Sequence, residues 1–168
     1  MSRIAIAKSV FIKMQKILTS RCISFALRMK LVKIYVFPIL SYGNESWTFY
    51  ADTKRRIEAF EMWVFRKMGK ISWTEKMRNE DVLIKLGVRK ELLVKMKRLK
   101  LQYFGHVMRH DTLQKQIVTS KFDGKRARGR PRRTWLDDIK EWTGLGINEC
   151  SHITNDRASW RLLASRPL

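Results

Sequence analysis

An all-α protein, with a helical bundle followed by a smaller basic helical unit, is what this sequence predicts, and three observations predict it. Apolar residues recur at three- and four-residue spacing along most of the chain. No β alternation competes with that period in the first third. Serine, threonine, asparagine and glycine fall at the points where the periodic stretches begin and end, as helix caps do.

Residues 2 to 18 place Ile4, Ala7, Val10, Phe11, Met14, Ile17 and Leu18 on one face and leave Arg3, Lys8, Lys13 and Lys16 largely to solvent. Ser24 caps a second helix with Leu27, Leu31, Ile34 and Tyr35 inward, and Pro38 kinks or shortens it before a turn at Gly43. Asp52 caps a third, whose inward stripe is Ile57, Phe60, Val64 and Met68 with Trp63 alongside, and Gly69 ends it. Asn79 opens a short helix carrying Val82, Leu83 and Leu86 up to Gly87. Over 90 to 109, Leu92, Met96, Leu99, Tyr103 and Val107 form one stripe and Leu101, Phe104 and Met108 another, so this helix is expected to be buried on two flanks. Residues 111 to 133 are weakly patterned; Ile117, Val118 and Phe122 hint at a short strand or a helical turn. Thr134 with Asp137 three places on reads as a capping box, followed by Trp135, Ile139 and Trp142 on one face and a closing Gly144. A last helix around 156 to 164 turns Trp160 and Leu163 inward and Arg157 and Arg161 outward.

Composition bounds the function. The chain has 168 residues, 45% of them hydrophobic, enough for a packed core in one domain or two small ones; the division expected is 1–75 for the bundle and 76–168 for the basic region. A net charge of +21 calls for a polyanionic partner. The longest uncharged apolar run, residues 34 to 40, is far short of the roughly 20 that span a bilayer, and Lys8, Lys13 and Lys16 interrupt any signal-peptide core, so no membrane is expected. Cys22 and Cys150 are isolated thiols that fit a reducing compartment, nuclear or cytoplasmic, rather than a disulfide framework.

The charge is concentrated. Between Arg89 and Arg133 there are 15 basic residues against Glu91, Asp111 and Asp123. The segment 121–133 holds seven bases and one acid, punctuated by Gly124, Gly129 and Pro131, which display arginines on irregular backbone. A guanidinium fork takes two phosphate oxygens at once, so such a comb suits nucleic acid. The expected phosphate contacts are Lys97, Arg98, Lys100, Arg109, Lys125, Arg126, Arg128, Arg130, Arg132 and Arg133. Within the comb, Arg128-Gly129-Arg130-Pro131 equals the core of an AT-hook, which lies in the narrow minor groove of A·T-rich DNA, and residues 125 to 133 would also serve nuclear import.

Several phrases carry a family likeness: Arg3-Ile4-Ala5 with Phe11, Lys30-Leu31, Leu40-Ser41-Tyr42-Gly43-Asn44-Glu45-Ser46-Trp47, Arg98-Leu99-Lys100-Leu101-Gln102-Tyr103-Phe104-Gly105-His106-Val107-Met108-Arg109, Gly129-Arg130-Pro131, Trp135-Leu136-Asp137-Asp138, and Asp156-Arg157-Ala158-Ser159-Trp160-Arg161. In this order the chain resembles the C-terminal part of non-LTR (LINE-type) retrotransposon endonuclease-reverse transcriptases. The resemblance implies a helical thumb over roughly residues 1 to 75 and the basic region that follows it. The family's RNA-directed DNA polymerase works through paired palm aspartates and two magnesium ions, and neither a Tyr-Ala-Asp-Asp nor a Phe-Ala-Asp-Asp phrase occurs here. The expectation is therefore RNA or DNA binding without catalysis in this chain, with no cofactor, no metal and no small-molecule substrate. An AT-hook DNA binder and a retrotransposon remnant without function are the alternatives.

Three constellations invite sharper readings. Asp137-Asp138 imitates a catalytic pair, but carboxylates in a helix's first turn also meet the macrodipole. His106 and His110 stand four apart, yet zinc needs further ligands, and only Cys150 and His152 offer them. Some family members carry a Cys-Cys-His-Cys knuckle after the thumb, whose cysteines this chain lacks. Trp47 and Trp73 are candidates for base stacking, set against the commoner role of tryptophan as a packing anchor.

Overall fold

A computed structural model describes residues 2–119, 128–129 and 132–165. The described residues are helical, with no strand among them, so the all-α expectation holds. The chain divides into two compact units, Met1–Asn44 with Ala51–Leu93, and Glu45–Tyr50 with Val94–Leu168. Residues 76–93, expected with the basic region, pack in the first unit, and a six-residue loop from the expected bundle packs in the second.

In the first unit, α1 (Arg3–Lys13) is capped by Ser2 and followed by the short α2 (Gln15–Leu18). α3 (Phe25–Leu31) is capped by Ser24, whose hydroxyl accepts from the Leu27 N–H. It continues through a π-helical turn (Val32–Val36) into α4 (Phe37–Ser41). Pro38 is the cause the sequence supplies for the wide turn. It has no N–H to donate back, and the Phe37 N–H reaches one residue further to the Val32 carbonyl. The expected inward stripe is corrected here: Leu27, Ile34 and Tyr35 are exposed, and Met29, Val32, Val36, Phe37 and Leu40 are buried instead. Gly43 then turns the chain with a left-handed φ of 68°.

α5 (Ala51–Gly69) buries the expected Ile57, Phe60, Val64 and Met68, and also Glu61, Phe65 and Arg66. The expected cap, Asp52, lies inside its first turn. Gly69 sits close to α6: a Cβ there would stand 3.0 Å from Leu86 Cδ2, so that side chain would have to shift slightly. A 3-10 turn (Trp73–Glu75) and α6 (Asn79–Leu86, closed by left-handed Gly87) complete the unit, with the first residues of α7 (Leu92–Arg109).

Buried polar groups explain why residues 76–93 belong here. Glu61 Oε1 accepts from the N–H groups of Glu91 (2.9 Å) and Leu92 (3.0 Å), satisfying donors at the start of α7. Arg66 donates to the Met77 carbonyl (2.7 Å) and to Asn79 Oδ1 (3.1 Å). Arg28 ties the C-terminal carbonyls of Leu18 and Met68 together, at 3.1 and 2.9 Å.

Burial pushes the Glu61 carboxyl above its ordinary value of 4.5, against the two N–H groups that favour the anion. The folded state therefore holds a proton that the unfolded chain releases above about pH 4.5, and stability falls as pH rises through that window. Glu61→Gln keeps an acceptor for both N–H groups and does not titrate. The wild type is expected to lose stability relative to Glu61→Gln as pH rises above 4.5; parallel urea midpoints from pH 4 to 7 would contradict this.

The second unit comprises the 45–50 loop, α7 from Val94 onward, α8 (Leu113–Thr119), α9 (Trp135–Thr143), α10 (Ile147–Asn155) and α11 (Arg157–Ser165). The Thr134–Asp137 capping box and the closing Gly144 stand where the sequence places them, and α8 is helical where a strand was an option. α10 was not anticipated. In α11 the inward residues are Trp160 and Ala164, with Leu163 half-buried. Phe49, Met96, Leu101, Phe104, Val107, Ile139, Trp142, Cys150 and Trp160 form the core.

Candidate nucleic-acid interface

The cations expected at phosphate divide into several groups. Lys100 is a correction: it is fully buried, on the core stripe of α7 where Leu99 was expected. Its Nζ lies 2.5 Å from Asp138 Oδ2 and 2.7 Å from the Trp47 carbonyl, and it faces the rings of Trp135, Trp142 and Phe49 at 4.7, 5.6 and 5.7 Å. Burial pulls the ammonium below its ordinary value and Asp138 opposes that pull. Asp138 also accepts from the Phe49 N–H at 2.8 Å and from Arg133 Nε and Nη2 at 2.8 and 2.6 Å. Arg133, which pairs with Glu141 as well, is thus engaged by two carboxylates rather than turned to phosphate.

The same geometry gives Asp137-Asp138 its role. Asp137 caps α9, accepting from the Thr134 N–H at 2.7 Å, and those bonds hold its carboxyl below the ordinary range. Asp138 is the buried counter-ion. Trp135 donates its indole N–H to the Glu45 carbonyl at 2.7 Å, so the phrase around Trp47, the phrase around Lys100 and the phrase around Trp135 all meet at one hub. Trp47 joins this hub through its carbonyl, and its half-buried ring stands 6.4 Å from that of Phe49.

Of the remaining cations, Arg98, Arg128 and Arg132 are exposed, and Lys97 is half-buried beside Trp142 at 5.6 Å. Lys125, Arg126 and Arg130, with most of the 121–133 comb and the Arg130-Pro131 half of the AT-hook core, lie outside the described residues.

Arg109 is brought into a site the sequence reading did not assemble. Gln102, His106 and Arg109 occupy one face of α7 at four- and three-residue spacing, and Arg157, Trp160 and Arg161 line the opposite wall from α11. Between them lies a cleft of about 270 Å³ with three arginines, a histidine and no carboxylate on its walls. Gln102, His106, Arg157 and Arg161 are exposed; Arg109 is half-buried and donates to the Thr154 carbonyl at 3.2 Å. Nearby Asp156 is committed to the start of α11 through Ala158 and Ser159. The signal for this site was present in the sequence, since Arg157 and Arg161 were placed outward, but nothing local tied them to Arg109.

The tie is Gly105. A Cβ at that position would stand 2.2 Å from Trp160 Nε1, and the indole N–H donates to the Leu101 carbonyl at 2.9 Å. The glycine lets α11 lie directly on α7. The His106 and His110 rings lie 4.7 Å apart at a 53° tilt, and among the described residues no three His, Cys, Asp or Glu are grouped to hold a metal. Cys150 is buried against Thr143 Oγ1 at 3.3 Å.

This is a basic, all-α protein whose second unit presents a carboxylate-free arginine cleft over an ion-paired aromatic core. The chain is similar to a transposon-derived protein of Caenorhabditis elegans, with 31% identity over 153 residues covering 83% of this chain and 54% of that protein. It thus spans about half the length of that relative, and the likeness supports a transposon origin. No protein-family profile and no solved structure matches the chain. No helix among the described residues is long and apolar enough to cross a membrane.

Proposed function

We propose that this chain is the nucleic-acid-holding C-terminal part of a LINE-type reverse transcriptase, a thumb with its following basic region, which grips RNA or DNA by phosphate and performs no catalysis itself. The observation that carries the reading is the α7–α11 cleft. Three arginines converge there without a carboxylate to neutralise them, in a chain of net charge +21. The ordered motif phrases and the transposon-derived relative support the retrotransposon origin. That relative also supports a second reading, a folded remnant with no nucleic acid to hold.

Binding across a salt series tests both. Each phosphate contact to duplex DNA contributes a slope of about −0.9 in log affinity against log salt. Changing Arg157 and Arg161 together to glutamine is expected to flatten the slope by about 1.8, equally on A·T-rich and G·C-rich duplexes, because phosphate contacts carry no sequence information. An unchanged slope removes the cleft from the interface. A loss confined to A·T-rich sites after replacing Arg128 and Arg130 would favour the AT-hook, and no binding at low salt would favour the remnant.

A further inference from the structure

The first unit carries a groove of about 500 Å³ that no part of the phosphate-binding reading uses. Its chemistry is unlike that of the arginine cleft. Lys8 of α1, Arg56, Trp63 and Arg66 of α5, and Trp73 of the 3-10 turn line it, and no carboxylate does. Arg56 is paired at its outer edge with Asp52, at 2.7 Å and well exposed on both sides, an arrangement worth little in water.

Trp73 is 81% exposed, an unusual state for the residue type with most to gain from burial. It is not exposed by a frayed backbone. Ser72 and Glu75 form a capping box around its turn, with the Ser72 N–H donating to Glu75 Oε1 at 2.8 Å, and left-handed Lys76 (φ 48°) closes it. Arg66, which lies 5.2 Å from the ring centroid, is itself fixed by Met77 and Asn79. Its Nε is buried and makes no hydrogen bond. Trp63 offers a second, half-buried indole, with Lys8 at 5.5 Å from its ring and Phe60 stacked on it at 6.1 Å. The groove therefore combines aromatic surface, carried on a capped turn and on α5, with cations, in a volume within the roughly 300–1,000 Å³ of small-ligand sites.

We propose that this groove takes an unpaired nucleotide of single-stranded RNA or DNA, with its base against Trp73 and its phosphate held by Lys8 and Arg56. An aromatic anion is the ligand that such a lining complements on both counts. A base still paired in a duplex keeps its faces stacked on its neighbours, so the site selects unpaired strand. Base–aromatic stacking tolerates any base, which matches a lining with few groups to read a base edge. The inference rests on the nucleic-acid reading above and adds to it a second site with a different specificity.

Twelve-nucleotide oligo-dT and oligo-U, an abasic oligomer of equal length and charge, and a DNA duplex separate the two. The full-length wild type is expected to bind dT or U about tenfold more tightly than the abasic strand. Trp73→Ala should abolish that preference, Trp73→Phe should retain most of it, and neither should change duplex or abasic binding. The exposure of Trp73 leaves the urea midpoint a control that should not move. Preference in only one of dT and U identifies the strand type. Equal wild-type affinity for abasic and base-bearing strands, or a preference untouched by Trp73→Ala, overturns the groove while leaving the phosphate reading intact. Binding of none of the four probes overturns both.

Discussion

Asp138→Ala is expected to lower folding stability by about 3–5 kcal/mol, because it strips a fully buried ammonium of its counter-ion. Lys100 and Asp138 are both completely buried, and their oxygen–nitrogen separation is 2.5 Å. Without the carboxylate, Lys100 keeps the Trp47 carbonyl and three aromatic faces, which do not balance a whole charge. The Phe49 N–H loses its acceptor in the same step, and Arg133 loses one of its two carboxylates. Lys100→Met is expected to cost less, since Asp138 retains Arg133 and the Phe49 N–H while the methionine fills the lysine's apolar stem. The double variant should be far from additive, as for residues of one network. Neither Lys100→Met nor Asp138→Ala should alter the salt slope of duplex binding at temperatures where the protein remains folded. If Lys100→Met flattened that slope as the Arg157 and Arg161 changes do, Lys100 would be a phosphate contact after all. If Asp138→Ala left the urea midpoint unmoved, the hub would not be holding the second unit together.

Lys100 shows where reading by residue type stops. The helical period was legible over 90 to 109, and so were Met96, Phe104 and Val107 as core. What the period could not reveal is that one lysine on the inward flank has a buried partner, because Asp138 lies 38 residues away and itself reads as an ordinary helix-start carboxylate. Glu61 and Arg66 were hidden for the same reason. Their partners, backbone groups and the Asn79 side chain, belong to a later segment, and residues 76–93 pack with them in the first unit. Local features fared better. Ser24, Thr134, Gly43, Gly87 and Gly144 act through neighbours a few residues away, and each ends or starts an element as its type implies. The phase of the second helix failed from its start: Leu27 is exposed in α3, ahead of the π-helical turn, and Ile34 and Tyr35 are exposed within it, while Met29, Val32 and Val36 hold the inward face. The arginine cleft was half legible: its outward arginines were identified, and their convergence on Arg109 needed the contact between α7 and α11.

Gly105→Ala tests that contact, and its sign is the informative part. By helix propensity alone, alanine in place of a glycine inside an 18-residue helix gains about 1 kcal/mol. In this protein the added Cβ would come within 2.2 Å of Trp160 Nε1 and 2.3 Å of Cδ1, distances no relaxed contact reaches. The indole is rigid, 2% exposed, tilted against Phe104 at 5.4 Å and bonded to the Leu101 carbonyl, so it has no spare rotamer into which to withdraw. It must leave its seat, and the penalty approaches that of deleting a buried aromatic, about 3–5 kcal/mol. The Arg157 and Arg161 wall of the cleft moves with it, so the affinity for duplex DNA should drop along with the urea midpoint. On a Trp160→Leu background, where the clashing ring edge is gone, Gly105→Ala should instead be neutral or stabilising, because propensity then acts unopposed. A higher melting temperature for the single Gly105→Ala variant would mean that α11 does not lie on α7 through this glycine, and the cleft built on that contact would fall with it.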